Sequence, residues 1–224
     1  MKRTWFLTGT DTNIGKTIVS SVMLIKAKKH GFYTAGYKPI STGCIKTKKG
    51  LRNLDALLLK KYSIIKFPYN TINPFAFYDS EPPHILSQKN KINITFKKIS
   101  NELYNIQKKA NWIIIEGVGG WYTPISPILK FSDWVKKENI PIILVIGLKL
   151  GCINHAILTN QAILKSGLIF SGWIANCISN KNKYVLDYIN TLKKYIYAPF
   201  LGKVPYIKNI KNLSKISANI HLPK

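Results

Sequence analysis

Residues 5–17 read Trp5-Phe6-Leu7-Thr8-Gly9-Thr10-Asp11-Thr12-Asn13-Ile14-Gly15-Lys16-Thr17, a short apolar run followed at once by a turn bounded by two glycines. The run predicts a strand over 5–8, and the apolar spacing downstream predicts a helix over 16–29. Unpaired backbone N–H groups gather at the start of such a helix, where its dipole also favours negative charge. The stretch therefore predicts an anion-binding turn that opens an α/β unit.

The end of this turn, Gly15-Lys16-Thr17, matches the P-loop pattern that binds nucleotide phosphates. We expect Lys16 to reach the β- and γ-phosphates and the Thr17 hydroxyl to bind Mg²⁺. Five residues separate Gly9 from Gly15, whereas the usual pattern has four. The same triplet also occurs by chance at the start of a helix with an exposed lysine, but the order of strand, turn and helix favours the phosphate site.

Strands and helices continue to alternate along the chain. Apolar runs predict strands over 33–37, 112–115, 142–146, 170–176 and 200–204, and apolar residues at i, i+3 and i+4 predict helices over 95–109, 154–165 and 183–195. Most of the runs are apolar throughout, which is typical of strands covered on both faces. The pattern predicts an α/β fold, a mostly parallel sheet flanked by helices on both faces, formed as a single domain of residues 1–224. The stretch 68–83 has no clear period and is expected to be irregular.

Composition and charge restrict the class of protein. Hydrophobic residues make up 46% of the 224 residues, enough for a core, so a largely disordered chain is excluded. Lys and Arg number 34 against 9 Asp and Glu, and the net charge of +25 is typical of nucleic-acid binding. However, the lysines are scattered, and arginine, which base and phosphate recognition favours, occurs only at Arg3 and Arg52. We therefore expect no specific nucleic-acid partner.

The cysteines and the apolar runs bear on the cellular compartment. Cys44, Cys152 and Cys177 are widely separated, which indicates neither a disulfide framework nor a zinc site, and we expect reduced core residues. No apolar run approaches the roughly 20 residues that a membrane helix needs. The first run is also too short for a signal peptide. These features predict a cytoplasmic protein with no membrane partner.

Two of the few carboxylates occupy informative positions. Glu116 directly follows the apolar run 112–115, and Asp55 lies in the loop that leads away from the second predicted strand. The carboxyl ends of parallel strands meet at one edge of a sheet, where the turn ending at Thr17 also lies. Together with Thr17, the two carboxylates supply oxygen ligands that suit Mg²⁺. The alternatives are a helix N-cap at Asp55 and a solvated loop carboxylate at Glu116.

Lys38 comes at the end of the second predicted strand and is followed by Pro39. It is therefore expected at the same edge of the sheet. A lysine there can neutralise charge on a transferred phosphoryl group or on an anionic acceptor. Because lysine is abundant in this chain, a solvated surface lysine remains the alternative.

Several separate stretches of the sequence, and the order in which they follow one another, match a known pattern. They are Gly9-Thr10-Asp11-Thr12 with Gly15-Lys16-Thr17, Ala35-Gly36-Tyr37-Lys38-Pro39, Gly50-Leu51-Arg52-Asn53 with Asp55-Ala56, Glu116-Gly117 with Gly119-Gly120-Trp121, Lys149-Leu150-Gly151-Cys152-Ile153-Asn154-His155-Ala156, and Gly172-Trp173-Ile174-Ala175-Asn176. In this order they resemble the dethiobiotin synthetase family over essentially the whole chain. The spacing of five residues within the glycine-bounded turn is also this family's variant.

The resemblance implies a P-loop NTPase-like fold and an ATP-dependent ligase. Such an enzyme takes 7,8-diaminononanoate, CO₂ or bicarbonate, and ATP, with Mg²⁺ as cofactor. A carbamate of the diamine is phosphorylated by ATP, and the second amine closes the ring to give dethiobiotin, ADP and phosphate. The resemblance further implies a homodimer whose active site lies at the subunit interface.

The resemblance also implies roles for individual residues. Catalytic roles fall to Lys38, Lys16 and Thr12, and Mg²⁺ binding to Thr17, Asp55 and Glu116. The substrate-binding residues are Thr42, Gly151, Cys152, Ile153, Asn154 and Tyr188. The ATP-binding residues are Asn13, Ile14, Gly15, Lys16, Thr17, Ile18, Asp55, Glu116, Gly117, Val118, Gly119, Asn176, Cys177, Pro205, Tyr206 and Ile207.

Two other functions share the P-loop. A partition or targeting ATPase that binds DNA or another anionic surface would suit the positive charge, but such ATPases commonly carry a second lysine near the start of the loop, where this chain has Thr10 to Thr12. A small-molecule kinase gives no account of residues 149–155. The sequence departs from the family pattern at Asn13, where relatives most often carry Glu, and at Asn212 and the lysine-rich tail that begins at Lys208.

Overall fold

A computed structural model of the chain describes residues 3–209 and 213–223. Its strands are β1 (Arg3–Gly9), β2 (Thr34–Tyr37), β3 (Ile40–Ser41), β4 (Ile45–Thr47), β5 (Gly50–Arg52), β6 (Phe75–Ala76), β7 (Trp112–Glu116), β8 (Ile142–Gly147), β9 (Phe170–Asn176) and β10 (Phe200–Val204). Its helices are α1 (Lys16–Lys29), α2 (Leu54–Tyr62), α3 (Tyr69–Ile72), α4 (Pro83–Lys89), α5 (Phe96–Gln107), α6 (Phe131–Lys137), α7 (Cys152–Lys165), α8 (Val185–Tyr195) and α9 (Leu213–Ile216), with a 3-10 turn over Ser217–Asn219. Asn212, one of the departures from the family pattern, lies outside the described residues.

The main sheet is parallel, with its strands in the order β10-β9-β8-β1-β7-β2. Two small sheets pair β3 with β6 and β4 with β5. The register sets Leu7 of β1 beside Glu116 of β7, so the end of β7 lies next to the strand that leads into the glycine-bounded turn. The predicted α/β fold is confirmed, and all of its predicted strands are present.

Both faces of the sheet are covered. Successive strand residues point to opposite faces. Ile113 and Ile115 of β7 therefore join a core formed with α5, α6, α7 and α8, whereas Trp112 and Ile114 join a second core formed with α1 and α9. Burial on both faces explains why this strand is apolar throughout. The helices flank the sheet on both sides, as the sequence predicts.

The longer helices occur where the periodicity predicts them, with small differences at their ends. Helix α1 has the predicted bounds. Helix α5 begins after Thr95, because the Thr95 side chain accepts a hydrogen bond from the Lys98 N–H and caps the helix. Helix α7 begins two residues earlier than predicted, at Cys152, after Gly151 with a φ of 87°. Helix α8 begins at Val185 rather than at 183.

The short elements are not predicted from the sequence. Helices α2, α4 and α6 have 9, 7 and 7 residues, too few turns for a clear apolar period. The stretch 68–83 is not wholly irregular, since it contains α3 and β6, and β6 pairs with the distant β3. Cys44 and Cys152 are buried free thiols as expected, but Cys177 is only half-buried and is not a core residue.

Candidate active site at the carboxyl edge of the sheet

The glycine-bounded turn joins β1 to α1. Asn13 and Gly15 have positive φ angles of 57° and 85°. Glycine adopts this region without strain, and asparagine is among the few other residues that tolerate it. Gly15 precedes α1 without a side-chain cap. The first N–H groups of α1 are therefore free to bind an anion such as a phosphate.

Ile14 differs from its neighbours in this turn. Its side chain is 1% exposed and packs in the core beneath the turn. Its carbonyl oxygen accepts a 2.7 Å hydrogen bond from Nδ2 of Asn176, at the end of β9. The ATP contact expected at Ile14 is therefore limited to its backbone, and Asn176 holds the turn in place from the neighbouring strand.

Lys16 is buried at the start of α1, and its Nζ donates a 2.7 Å hydrogen bond to the carbonyl oxygen of Asp11 within the same turn. Burial and, to a lesser extent, the nearby charge of Lys38 lower the pKa of Lys16 to about 8, because Glu116 and Asp55 offset only part of their effect. The side chain thus lies over the turn as a cation that a phosphate would stabilise.

Asp11 connects the turn to the segment that precedes α7. Its Oδ2 accepts a 2.7 Å hydrogen bond from Lys149 Nζ, and its Oδ1 accepts one from the Thr12 N–H. The hydrogen bond from Lys149 lowers the pKa of Asp11, although burial opposes it. The two side chains are 40% and 41% exposed, so solvent screens the pair and it contributes at most about 1 kcal/mol.

A buried charge cluster lies beside the turn. Glu116 is 0% exposed, and its Oε1 accepts hydrogen bonds from Lys38 Nζ at 2.7 Å and from the Thr17 hydroxyl at 2.8 Å. Lys38 Nζ also lies 3.1 Å from Asp55 Oδ2. One ammonium therefore bridges two carboxylates that the chain supplies from β7 and α2. The alternatives of a solvated Glu116 and a solvated Lys38 are wrong.

Lys38 and Asp55 keep their charges within this cluster. Burial acts to lower the pKa of Lys38, but the charges of Glu116 and Asp55 outweigh it and raise this pKa. Burial likewise acts to raise the pKa of Asp55, but the charge of Lys38 and its 3.1 Å contact with Oδ2 lower this pKa overall. Both groups are thus ionised at neutral pH.

Local sequence explains the position of Asp55. Asn53 is the N-cap of α2, since its Oδ1 accepts hydrogen bonds from the N–H groups of Asp55 and Ala56. Asp55 therefore lies in the first turn of a helix rather than in a loop. The alternative that Asp55 is itself the N-cap is also wrong, because Asn53 has that role.

The donor set fits a hard divalent cation. Oε2 of Glu116 is buried and has no hydrogen-bond partner among the described residues, although it belongs to an ionisable carboxylate. Burial of such an oxygen costs free energy unless a cation or a hydrogen-bond donor reaches it. Within 3–209 and 213–223 no cluster of three or more His, Cys, Asp or Glu residues forms a metal cage. Thr17, Asp55 and Glu116 therefore suit Mg²⁺, which keeps several waters and shares phosphate oxygens with a nucleotide.

These groups surround a cavity of about 560 Å³, a size typical of small-molecule sites. Many of the predicted residues line it, namely Thr12, Asn13, Gly15, Lys16, Thr17, Ile18, Lys38, Thr42, Asp55, Glu116, Val118 and Gly119. Gly117 does not line it. Its carbonyl accepts a 3.0 Å hydrogen bond from Lys38 Nζ, and a Cβ there would lie 2.8 Å from the Phe6 ring, so it lets β7 end close to β1.

Sequence reasoning missed part of the cavity wall, which also includes Asn53, Leu54, Leu58 and Ser80. A signal for Asn53 was present, since asparagine two residues before an acidic residue and an apolar run is typical of a helix N-terminus. No local pattern marks Ser80, which reaches the cavity from the segment between β6 and α4.

A second, smaller groove of about 180 Å³ adjoins the first. It is lined by the predicted residues Asn176, Cys177, Pro205, Tyr206 and Ile207 together with Asn13, Gly15 and Ile18. The last three residues also line the main cavity. The expected ATP-binding residues of β9 and of the segment after β10 thus lie next to the glycine-bounded turn.

The remaining substrate-binding predictions fall elsewhere. Gly151, Ile153 and Tyr188 line a separate groove of about 310 Å³ between the start of α7 and α8. Cys152 is 1% exposed, and Asn154 is exposed but does not line this groove. None of these five residues lines the main cavity, so one chain alone does not bring them together with Lys16 and Lys38.

Comparison with known proteins decides the family. Residues 3–214 match the family model described as an AAA domain. The ATP-dependent dethiobiotin synthetase BioD of Buchnera aphidicola subsp. Acyrthosiphon pisum (strain APS) is 52% identical over 224 residues, 100% of both chains. The protein of this name from Escherichia coli (strain K12), BioD 1, is 45% identical over 92% of each chain. The chain belongs to the ATP-dependent dethiobiotin synthetase family. Its relatives' names identify it as an ATP-dependent ligase of biotin biosynthesis.

Solved structures of other ATPases share the fold of this dethiobiotin synthetase family member. A ParA family ATPase from Chlorobium tepidum TLS has a TM-score of 0.60 at 13% identity, covering 96% of this chain and 90% of its own. The MinD cell division protein of Aquifex aeolicus has a TM-score of 0.59 at 14% identity, covering 96% and 87%. Identities this low establish the fold alone. In the described part of the chain no helix is both long and apolar enough to cross a bilayer.

Proposed function

We propose that the chain, as one domain of residues 1–224, converts 7,8-diaminononanoate, CO₂ and ATP to dethiobiotin, ADP and phosphate. One amine takes up CO₂ as a carbamate, whose oxygen attacks the γ-phosphorus while the bond to ADP breaks. The second amine attacks the carbonyl carbon of the resulting mixed anhydride, phosphate leaves, and the ring C–N bond forms. Each amine releases one proton as its new bond forms. The supporting observation is that Lys16, Lys38, Asp55 and Glu116 meet in one cavity of a dethiobiotin synthetase relative.

The two lysines can offset the repulsion between the two anions that react. Carbamate and γ-phosphate are both anions and repel each other as they approach. Lys16 at the turn and Lys38 beside Glu116 place two ammonium groups in the same cavity. Fixed charges of this kind stabilise developing negative charge without reorganising during the reaction. Thr12 and Thr42 line the cavity and offer hydroxyl groups to the diamine.

The metal-binding part of the proposal uses Thr17, Asp55 and Glu116. The hydroxyl of Thr17, the partly exposed carboxylate of Asp55 and the unpartnered Oε2 of Glu116 supply oxygen donors beside the turn. When bound, Mg²⁺ neutralises phosphate charge and orients the γ-phosphate. Lys38 presently bridges the two carboxylates, so these residues are already held together by a positive charge.

The groove at the ends of β9 and β10 is the proposed adenine site. Asn176 is buried there, with Pro205, Tyr206 and Ile207 forming a partly apolar wall. The groove shares Gly15 with the main cavity, so a nucleotide with its phosphates at the start of α1 can extend its base into the groove. Asn13 lines both grooves and is neutral, so it adds no negative charge next to the phosphates.

The proposal includes a homodimer. Residues 151–154 and Tyr188 lie apart from the main cavity, yet α7 begins there with backbone N–H groups that suit a carboxylate. We place the diaminononanoate carboxylate of a neighbouring subunit at this groove. The active site would then be completed only between two chains.

The decisive experiment is a phosphate-release assay with the purified protein and Mg-ATP. Phosphate should appear only when diaminononanoate and bicarbonate are both present, and mass spectrometry should detect dethiobiotin in equal amount. The Lys16→Gln variant should release none. Phosphate release stimulated by DNA rather than by the diamine would overturn the ligase and favour a partition-type ATPase, which otherwise rests on the positive charge of the chain and on fold likeness to ParA and MinD.

A further inference from the structure

A polar network lies behind the main cavity and joins its two walls. One wall is the N-terminus of α2, which carries Asp55, and the other is the segment that runs from Lys38 to Thr42. The network is made by the side chains of Ser41, Asn53, Tyr69 and Asn73, of which all but Tyr69 are buried. Of these, Asn53 lines the cavity, whereas Ser41, Tyr69 and Asn73 do not.

Asn73 holds the segment that carries Lys38. Its Nδ2 donates to the carbonyl oxygen of Lys38 at 2.8 Å and to that of Phe75 at 3.3 Å. Its Oδ1 accepts hydrogen bonds from the Ser41 hydroxyl at 2.7 Å and from the Tyr69 hydroxyl at 2.9 Å. The amide thus uses both of its donors and both of its lone pairs. A side chain that is 3% exposed and fully bonded in this way has a single orientation.

Tyr69 connects this amide to the other wall. Its hydroxyl accepts a 2.7 Å hydrogen bond from the Asn53 N–H while it donates to Asn73 Oδ1. The Arg52 guanidinium lies 4.2 Å from the centre of the Tyr69 ring and holds the ring in place. The hydroxyl therefore joins the two walls.

Asn53 completes the connection to Asp55. Its Oδ1 caps α2 through the Asp55 and Ala56 N–H groups, and its Nδ2 donates to the Thr42 carbonyl at 3.2 Å. A continuous series of hydrogen bonds therefore runs from the backbone of Lys38 through Asn73, Tyr69 and Asn53 to the backbone of Asp55.

We propose that Tyr69 and Asn73 are positioning residues that set the Lys38 ammonium against the Asp55 carboxylate, and so tune the step in which the carbamate is phosphorylated. This inference rests on the proposed ligase function. Electrostatic stabilisation depends on charges held in place before the reaction, and small displacements reduce it steeply. Without the Tyr69 hydroxyl, the side-chain links that remain among the described residues between the Lys38 segment and the start of α2 are the Lys38–Asp55 ion pair and the 3.2 Å hydrogen bond from Asn53 Nδ2 to the Thr42 carbonyl.

The test is the Tyr69→Phe variant, which removes the hydroxyl and keeps the ring against Arg52. We expect kcat to fall about 10-fold, a typical effect of removing a residue that holds an active-site group in place. KM for ATP should stay within about twofold, because the glycine-bounded turn lies outside the network. A crystal structure of the variant should show the distance between Lys38 Nζ and Asp55 Oδ2 lengthened from 3.1 Å. The matched control is Tyr104→Phe. Tyr104 lies on α5, and its hydroxyl donates a 2.7 Å hydrogen bond to Glu138 Oε2. This variant should leave kcat unchanged.

A second variant, Ser41→Ala, keeps the test decisive if Tyr69→Phe does not fold, because it removes one donor to Asn73 Oδ1 and a 3.2 Å contact with Cys44 Sγ but keeps the Tyr69 hydroxyl. It should lower kcat about two- to threefold with KM for ATP unchanged. The proposal is overturned if kcat of both variants stays at the wild-type value, or if KM for ATP rises in parallel with the fall in kcat. If the wild-type enzyme shows no diamine-dependent turnover, the proposed function fails, and the Lys38–Asp55 distance in the variant crystal still decides the positioning claim.

Discussion

Lys16 and Lys38 show how neighbours set the chemistry of one residue type. Both side chains are buried in the same cavity, and burial alone lowers the pKa of a lysine. Lys38 contacts two carboxylates, which raise its pKa. Lys16 donates instead to a carbonyl oxygen, and its pKa falls to about 8. Lys38, at the end of β2, therefore has a higher pKa than Lys16, at the start of α1, although both are buried.

The low pKa of Lys16 predicts that nucleotide binding depends on pH. Phosphate charge raises this pKa in the complex, so binding takes up a proton once the pH exceeds about 8, the pKa in the free protein. Affinity for ATP should be nearly constant below about pH 7 and fall by up to about tenfold per pH unit above pH 8. Calorimetry in two buffers of different ionisation enthalpy measures the uptake.

The Lys16→Arg variant is the control for that experiment, since arginine stays protonated throughout this range. Its ATP affinity should be flat over the same interval, whatever its absolute value. An equally steep pH dependence in the arginine variant would assign the effect to another group.

Lys38→Met tests the buried cluster. The change removes the cation that bridges Glu116 and Asp55. Glu116, at 0% exposure, then keeps the Thr17 hydroxyl as its one hydrogen-bond donor among the described residues. We expect the free energy of unfolding to fall by about 3 kcal/mol and turnover to be lost. Urea denaturation followed by fluorescence gives the first value and phosphate release the second.

Asp55→Asn is the comparison for Lys38→Met. It keeps the pair between Lys38 and Glu116, and the Asp55 side chain is 37% exposed. Its loss of stability should therefore be smaller, about 1 kcal/mol. A larger loss for Asp55→Asn than for Lys38→Met would contradict this account of the cluster.

At the level of elements, helix ends and strand ends place the functional groups. The turn before α1 leaves N–H groups free, the cap at Asn53 places Asp55 in the first turn of α2, and the end of β7 buries Glu116. Periodicity predicts the long helices because several turns repeat the same apolar spacing. It misses α2, which has 9 residues, although this helix carries a predicted metal ligand.

Variants of two helix N-caps can distinguish an effect on stability from an effect on activity. Asn53→Ala removes the cap of α2, and Thr95→Ala removes the cap of α5, far from the cavity. Each should lower the free energy of unfolding by about 1 kcal/mol. Only Asn53→Ala should also lower kcat, because its helix carries Asp55. Urea denaturation and steady-state kinetics on the two variants test this, and equal activities would show that the cap of α2 serves stability alone.

At the level of the whole molecule, residues 151–154 and Tyr188 lie apart from Lys16 and Lys38, so a complete site requires a second chain in our proposal. We expect the protein to sediment as a dimer. Mixing inactive Lys16→Gln with inactive Tyr188→Ala, followed by subunit exchange, should restore activity because each heterodimer contains one intact site.

Two variants that are defective in the same cavity provide the control for subunit exchange. Lys16→Gln mixed with Lys38→Met should remain inactive, since neither kind of site in the heterodimer is intact. Full activity in a chain that sediments as a monomer would contradict the shared site.

The order of apolar runs and helical spacing was enough to predict the α/β class, the six parallel strands and the turn between β1 and α1, because periodicity and helix-start chemistry act over neighbouring residues. The same local chemistry singled out Lys38 and Glu116 at the ends of predicted strands and Asp55 in the loop that leads away from the second one. Their ion pairs, the opposite pKa directions of the two lysines and the network through Tyr69 and Asn73 required the folded chain. These features depend on distances between residues far apart in sequence and on the burial they share, and packing of the sheet and helices sets both.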